Sequence, residues 1–131
     1  MANFEPEKLK EIDIDFTKKS NVFVFPDNFY RTKRNNELYD HLSEWSNGYG
    51  FVITKKPEAY SDRYYSVEEY EPILITHLHI LKITAQKARS KNIKMYIFKL
   101  DHDQHLWNNL IKPSFEKEFE NDDNVIFLWE K

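Results

Sequence analysis

Four short apolar runs punctuate the chain without polar alternation: VFVF (22–25), FVIT (51–54), MYIF (95–98) and VIFLW (125–129). Runs of this length, rich in β-branched and aromatic side chains, suit strands covered on both faces, as in a parallel sheet beneath helices. EIDIDF (11–16) behaves differently. Ile12, Ile14 and Phe16 alternate with Asp13 and Asp15, which predicts an edge strand with one wet face.

Helical periodicity fills the stretches between the runs. Leu38, Leu42 and Trp45 stand at i, i+4 and i+7, with Asn35 or Asn36 placed to cap the start and Gly48, after Asn47, placed to stop the helix. The segment from Val67 to Ser90 admits two readings, because ILITHLHILKIT is β-branched enough for a strand. Helix is preferred. Ser66 and Glu69 have capping-box spacing, and Leu74, Leu78, Leu81, Ala85 and Ala88 keep a 4-3-4-3 rhythm that continues where a strand would have ended. Pro72 then belongs to the first turn, where a missing N–H costs little. A last helix is expected from about Gln104 to Asn121, broken or restarted at Pro113.

One strand followed by three strand-helix-strand units leaves room for crossover connections. The fold class this implies is α/β: a single three-layer domain over residues 1–131, with a mostly parallel sheet of four or five strands and EIDIDF as its amphipathic edge. A two-layer α+β arrangement is the fallback.

Composition removes several function classes. The 21 Phe, Trp and Tyr residues predict a core of a few large side chains, and 131 residues are enough to enclose one. A net charge of −3 supports neither a bulk nucleic-acid coat nor a membrane surface. The absence of cysteine excludes disulfides, thiolate zinc sites and thiol nucleophiles together. MANFEPEKLKEIDIDF has no apolar signal-peptide core, and no apolar run approaches the ~20 residues that span a bilayer, so a cytoplasmic protein without a membrane partner is expected. With only Gly48 and Gly50, neither GxGxxG nor a P-loop can be written, and no cofactor is expected.

Ligands of open parallel sheets gather beyond the carboxyl ends of the strands, where loops and helix N-termini converge. Three polar and aromatic segments would share that edge: PDNFYRTKRN (26–35), KKPEAYSDRYYS (55–66) and DHDQH (101–105). The first two bring Arg31, Lys33, Arg34, Lys55, Lys56 and Arg63 together with Tyr30, Tyr60, Tyr64 and Tyr65, a mixture suited to stacking and charge contacts. Charge is unevenly spread. Residues 1–16 carry five acids against two lysines and residues 114–131 six against two, whereas 26–35 carry one acid against three bases.

DHDQH has two readings. Asp101 or Asp103 suits a helix N-cap, since carboxylates are stabilised by the unpaired N–H groups and the macrodipole, and His102 and His105 are then polar residues of the first turn. In the other reading His102 and His105 chelate a metal, with Asp101 and Asp103 beside them and Asp27 or Asp62 as a third ligand from another loop. Capping is preferred. His77 and His79 in THLHIL would share an ion only on a strand, because on a helix residues two apart point about 200° apart. His77 then flanks the apolar stripe, and His79 and His41 lie on helix surfaces. The serines form no G-x-S-x-G turn.

Two functions from different classes follow. The preferred one is a non-enzymatic protein-binding module of inhibitor, immunity or adaptor type, acting through Arg31, Arg34, Tyr60, Arg63 and Tyr64 with acidic flanks. The alternative is a small metal-assisted hydrolase or nuclease using Asp101, His102, Asp103 and His105. Another protein is the expected partner; nucleic acid is compatible with the basic loops but not favoured.

Overall fold

All four apolar runs are strands, and they lie side by side in parallel. The computed structural model describes residues 3–5, 7, 21–30, 37–44, 47–55, 65–100 and 104–129. Its strands β1 (Asn3–Phe4), β2 (Val22–Asn28), β3 (Gly48–Thr54), β4 (Met95–Ile97) and β5 (Val125–Phe127) form one sheet in the order β1-β5-β4-β2-β3. Every pairing is parallel. EIDIDF lies outside the described residues. The edge beside β5 is held by two residues that no periodicity marks: Asn3 pairs with Ile126 and Phe4 with Phe127, and the Phe4 ring sits 5.1 Å from that of Phe127.

Both faces of the sheet are covered. On one, Val24, Phe51, Ile53, Met95, Ile97, Val125 and Phe127 pack beneath α2 (Val67–Ser90) and the closing helical stretch, which comprises α3 (Gln104–Leu106), a π-helical turn (Trp107–Ile111) and α4 (Lys112–Glu118). On the other, Phe23, Phe25, Phe98, Ile126 and Leu128 pack with Leu42 of α1 (Glu37–Ser43). The absence of alternation in the strand sequences is therefore the signature of a sheet with no wet face. No helix among the described residues is long and apolar enough to cross a membrane.

The capping box forms as the spacing predicts. The Glu69 N–H donates to Ser66 Oγ at 3.2 Å, and the Ser66 N–H donates to the Glu69 carboxylate at 3.1 Å. Two details of α2 differ from the sequence reading. Pro72 is the sixth residue of the helix, one turn further in than expected; the ring is exposed, and the carbonyl it cannot serve belongs to exposed Glu68. His77 does not flank the buried stripe but belongs to it, between Leu74 and Leu81.

The inward position of His77 answers a backbone need. β3 is the edge strand, and Val52 turns both its N–H and its C=O away from β2. Unpaired edge groups of this kind need partners when buried. Helix α2 supplies them: Tyr70 Oη donates to the Val52 carbonyl at 2.5 Å, and His77 Nε2 accepts from the Val52 N–H at 3.4 Å. The Nδ1 of the same ring meets Tyr49 Oη at 2.6 Å. With Nε2 accepting, Nδ1 carries the proton and donates to Tyr49. Burial pushes the Tyr70 phenol far above its ordinary range, so it stays a donor. Tyr70→Phe is expected to cost about 1–3 kcal/mol in urea unfolding, because it leaves a buried carbonyl unpaired while keeping the ring. An unchanged midpoint would mean that water reaches Val52.

Gly48 also differs from expectation: it does not stop a helix but pairs with Phe23 in β3, as Gly50 pairs with Phe25, and neither glycine has positive φ. Hydrogen side chains at the edge leave the room beside those rings free, and Tyr39 of α1 stacks on Phe25 at 5.8 Å. Pro113 restarts the last helix: it stands in the first turn of α4, directly after the π turn. Trp107, Ile111, Phe115 and Phe119 are all buried at steps of four, and each such step overshoots an α-helical turn by about 40°. The π turn at 107–111, in which the Lys112 N–H reaches the Trp107 carbonyl, is wider and holds the row against the sheet just before the proline.

Candidate functional site at the carboxyl edge

The strand order locates a crevice. From β2 the chain moves outward to β3, whereas from β4 it moves the other way to β5, so the neighbouring strands β2 and β4 form the switch point of the sheet. Ligand sites of parallel sheets lie outside the carboxyl ends of such a pair. Here the two strands pair only from Val22 to Val24, and the Phe98 N–H closes the ladder on the Val24 carbonyl at 2.9 Å. Pro26 comes next. Even-numbered residues of β2 face β4, so proline occupies a place where β4 no longer asks for an N–H. Beyond it β2 continues beside β3 alone.

Past Pro26 the strand carries polar residues into the interior. Asp27, Asn28 and Thr54 are all buried. The register slips between Asp27 and Asn28, which face Val52 and Thr54 respectively, and bulges of this kind re-aim side chains at a sheet rim. The Asn28 N–H donates to Asp27 Oδ1 at 2.8 Å, and the Phe29 N–H donates to the Thr54 carbonyl at 2.9 Å. On this fixed base the next two side chains turn outward. Phe29 is 65% exposed and Tyr30 60%, and their rings meet edge to face at 5.9 Å.

The end of β3 meets the start of α2 on the same edge. Lys55 Nζ lies 2.9 Å from the Glu69 carboxylate and 5.5 Å from the centre of the Tyr65 ring. The lysine hydrogen bond and those from Ser66 hold the Glu69 carboxyl down to about 2. Burial, and then the Glu69 charge, push the Tyr65 phenol up. A folded-state value below the ordinary 4.5 means that the contact stabilises fully above pH 4.5 and is lost as pH falls toward about 2. A carboxyl NMR titration of Glu69 should therefore have a midpoint well below that of other exposed glutamates, and Lys55→Ala should raise it. An ordinary midpoint would show that the pair is open in solution.

Of the residues chosen from sequence, Tyr30, Lys55 and Tyr65 are placed at this edge. Arg31, Arg34, Tyr60, Arg63 and Tyr64 lie outside the described residues, as do Asp62, Asp101, His102 and Asp103. The strands that lead into them are described: 26–35 continues from β2, 55–66 from β3 and 101–105 follows β4, three neighbours in the sheet. His105 is exposed in α3, where the Asn109 amide meets its Nδ1 at 3.1 Å and its carbonyl at 2.9 Å. Among the described residues no group of three or more His, Asp or Glu is arranged to hold a metal. His77 is buried and His79 exposed on the same helix, so their rings lie on different faces.

Sequence reasoning passed over Phe29 and the buried Asn28 and Thr54, and it offered Asp27, which is also buried, only as a third metal ligand. A signal was present: Pro26 ends an apolar run inside a strand, and it is followed by a polar pair and then by two large aromatics. A separate open cleft of about 350 Å³ lies at the opposite, amino edge, between the start of β2 and the end of α2, with Val22, Ala88 and Ile93 below and Lys87 and Lys91 at the rim. Compared with known proteins, the chain matches no family model, no curated protein and no solved structure.

Proposed function

We propose that the chain is a protein-binding module of inhibitor or adaptor type that seats its partner on the carboxyl edge of the sheet. The observation that carries this reading is the exposed Phe29–Tyr30 pair at the switch point, standing on a buried polar base. Large aromatic side chains are expensive to leave in water, and with two side-chain torsions each they lose little freedom when a partner covers them. Interface cores are rich in such residues and in arginine. Arg31 and Arg34 follow directly in sequence, and Lys55 and exposed Lys99 lie at the ends of the two neighbouring strands. A partner surface with an apolar centre and acidic surroundings fits this chemistry.

The test is affinity for a purified partner. Phe29→Ala or Tyr30→Ala should cost more than about 2 kcal/mol of binding with an unchanged melting temperature, and one or two of Arg31, Arg34, Tyr60, Arg63 and Tyr64 should do the same. Charge reversal at Glu116 and Glu118 should change mainly the association rate and its salt dependence. Silence at 29–34 and 60–64, with a decisive effect at Glu116 and Glu118, would transfer the function to the acidic face. A divalent-metal-dependent phosphodiesterase activity that His105→Ala abolishes would replace binding by catalysis.

A further inference from the structure

Helix α2 buries one side and leaves the other in water. That outer side carries three exposed isoleucines within nine residues: Ile75 at 67%, Ile80 at 43% and Ile83 at 40%. Single exposed apolar residues are ordinary, but a group of them on one helix face marks a contact surface. Their neighbours say what kind. Glu71, Ile75, His79, Ile83 and Lys87 are all exposed and stand four apart, in a row that turns about 40° round the helix at each step. About His79 the row is symmetric in its apolar members and antisymmetric in charge. Ile75 mirrors Ile83, and Glu71 mirrors Lys87.

We propose that this row is the contact between two copies of the chain, packed antiparallel about a two-fold axis at His79. In a two-fold interface residue i of one copy meets residue j of the other and the reverse, so every contact occurs twice. Here each Ile75 meets Ile83 of the second copy, each Glu71 meets Lys87 of the second copy, and His79 faces its own counterpart. A parallel arrangement would instead set glutamate against glutamate and lysine against lysine. Rows of residues four apart are also the ridges that lie alongside one another in the commonest class of helix crossing. An unrelated partner has no need of a surface that is its own complement under rotation; a second copy does. Ile80 flanks the row and widens the apolar centre. This face lies on α2 away from the sheet and is independent of the carboxyl-edge reading.

Sedimentation equilibrium on the full chain from about 1 µM to about 1 mM should show a monomer–dimer equilibrium. Ile75→Glu strikes the interface twice, and at about thirtyfold per contact it should weaken the dimer by about a thousandfold, with the circular dichroism spectrum unchanged. Glu71→Lys and Lys87→Glu should each weaken it by about tenfold, and the double reversal should restore it, since the pairs form again with their signs exchanged. The cysteine-free chain allows a direct check. Axes about 8–10 Å apart bring facing Cα atoms well within the ~7 Å that a disulfide spans, so His79→Cys should cross-link in mild oxidant while Ser90→Cys, some three turns from the axis, does not. A chain that is monomeric at every concentration would overturn the proposal and leave the face to a different occupant. A dimer indifferent to Ile75→Glu and to charge reversal would place the contact elsewhere.

Discussion

A chain that stops before Val125 is expected not to fold. The lost strand is not a trailing edge: β5 lies between β1 and β4, and Val125, Ile126, Phe127, Leu128 and Trp129 are all buried, contributing to both faces of the sheet. Each such side chain stabilises the fold by about 1.5–3 kcal/mol, so five together rival the roughly 5–15 kcal/mol of net stability typical of a domain. Circular dichroism during heating should show no cooperative transition for the truncated chain. Phe127→Ala, which keeps the backbone ladder, should still fold and lose about 3–5 kcal/mol. A truncated chain that melted cooperatively near the full-length temperature would remove β5 from the core.

Lys82→Ala should be the most damaging single change on the outer half of α2. Lys82 Nζ lies 2.6 Å from Asp122 Oδ2 and 2.9 Å from the Glu118 carbonyl, and 5.6 Å from the centre of the Phe119 ring. The lysine is partly in water, but Asp122 is buried. Removing the cation leaves a carboxylate in the interior without the charge that compensates its lost hydration, a loss of about 2–4 kcal/mol. The cost belongs to the stranded charge rather than to the bridge. Lys82→Met combined with Asp122→Asn should therefore recover a large part of it. Urea unfolding reads both variants, with the midpoint falling and the slope unchanged. A loss below about 0.5 kcal/mol for Lys82→Ala would mean that solvent reaches Asp122.

The parts of the fold that sequence revealed are those where burial leaves a period. VFVF, FVIT, MYIF and VIFLW lack alternation because helices cover both faces of the sheet, and Ser66 with Glu69 announces a helix start because two orphan N–H groups need two acceptors. The parts that sequence concealed are decided by a single neighbour in space. Gly48 looks like a helix stop until Phe23 lies beside it, and His77 looks like a residue flanking the buried stripe until Val52 needs an acceptor at the sheet edge. Asn3 and Phe4 are too short a stretch to carry any pattern. The site was partly legible in the same way. That β2, β3 and β4 put their carboxyl ends on one edge followed from counting crossovers, because parallel strands all run the same way. Phe29 was not, because nothing in one dimension tells a packed phenylalanine from one that a bulge and a buried polar base turn into solvent.

The carboxyl-edge assignment meets its most direct test in hydroxyl-radical footprinting of the chain alone and bound to its partner. Phe29 and Tyr30 are more than half exposed in the free protein and should oxidise readily. In the complex both should be strongly protected, while Lys87 and Lys91 at the amino-edge cleft keep their accessibility. Equal oxidation of Phe29 and Tyr30 in the free and bound protein, with protection at the amino edge or along Glu116 and Glu118 instead, would contradict the assignment.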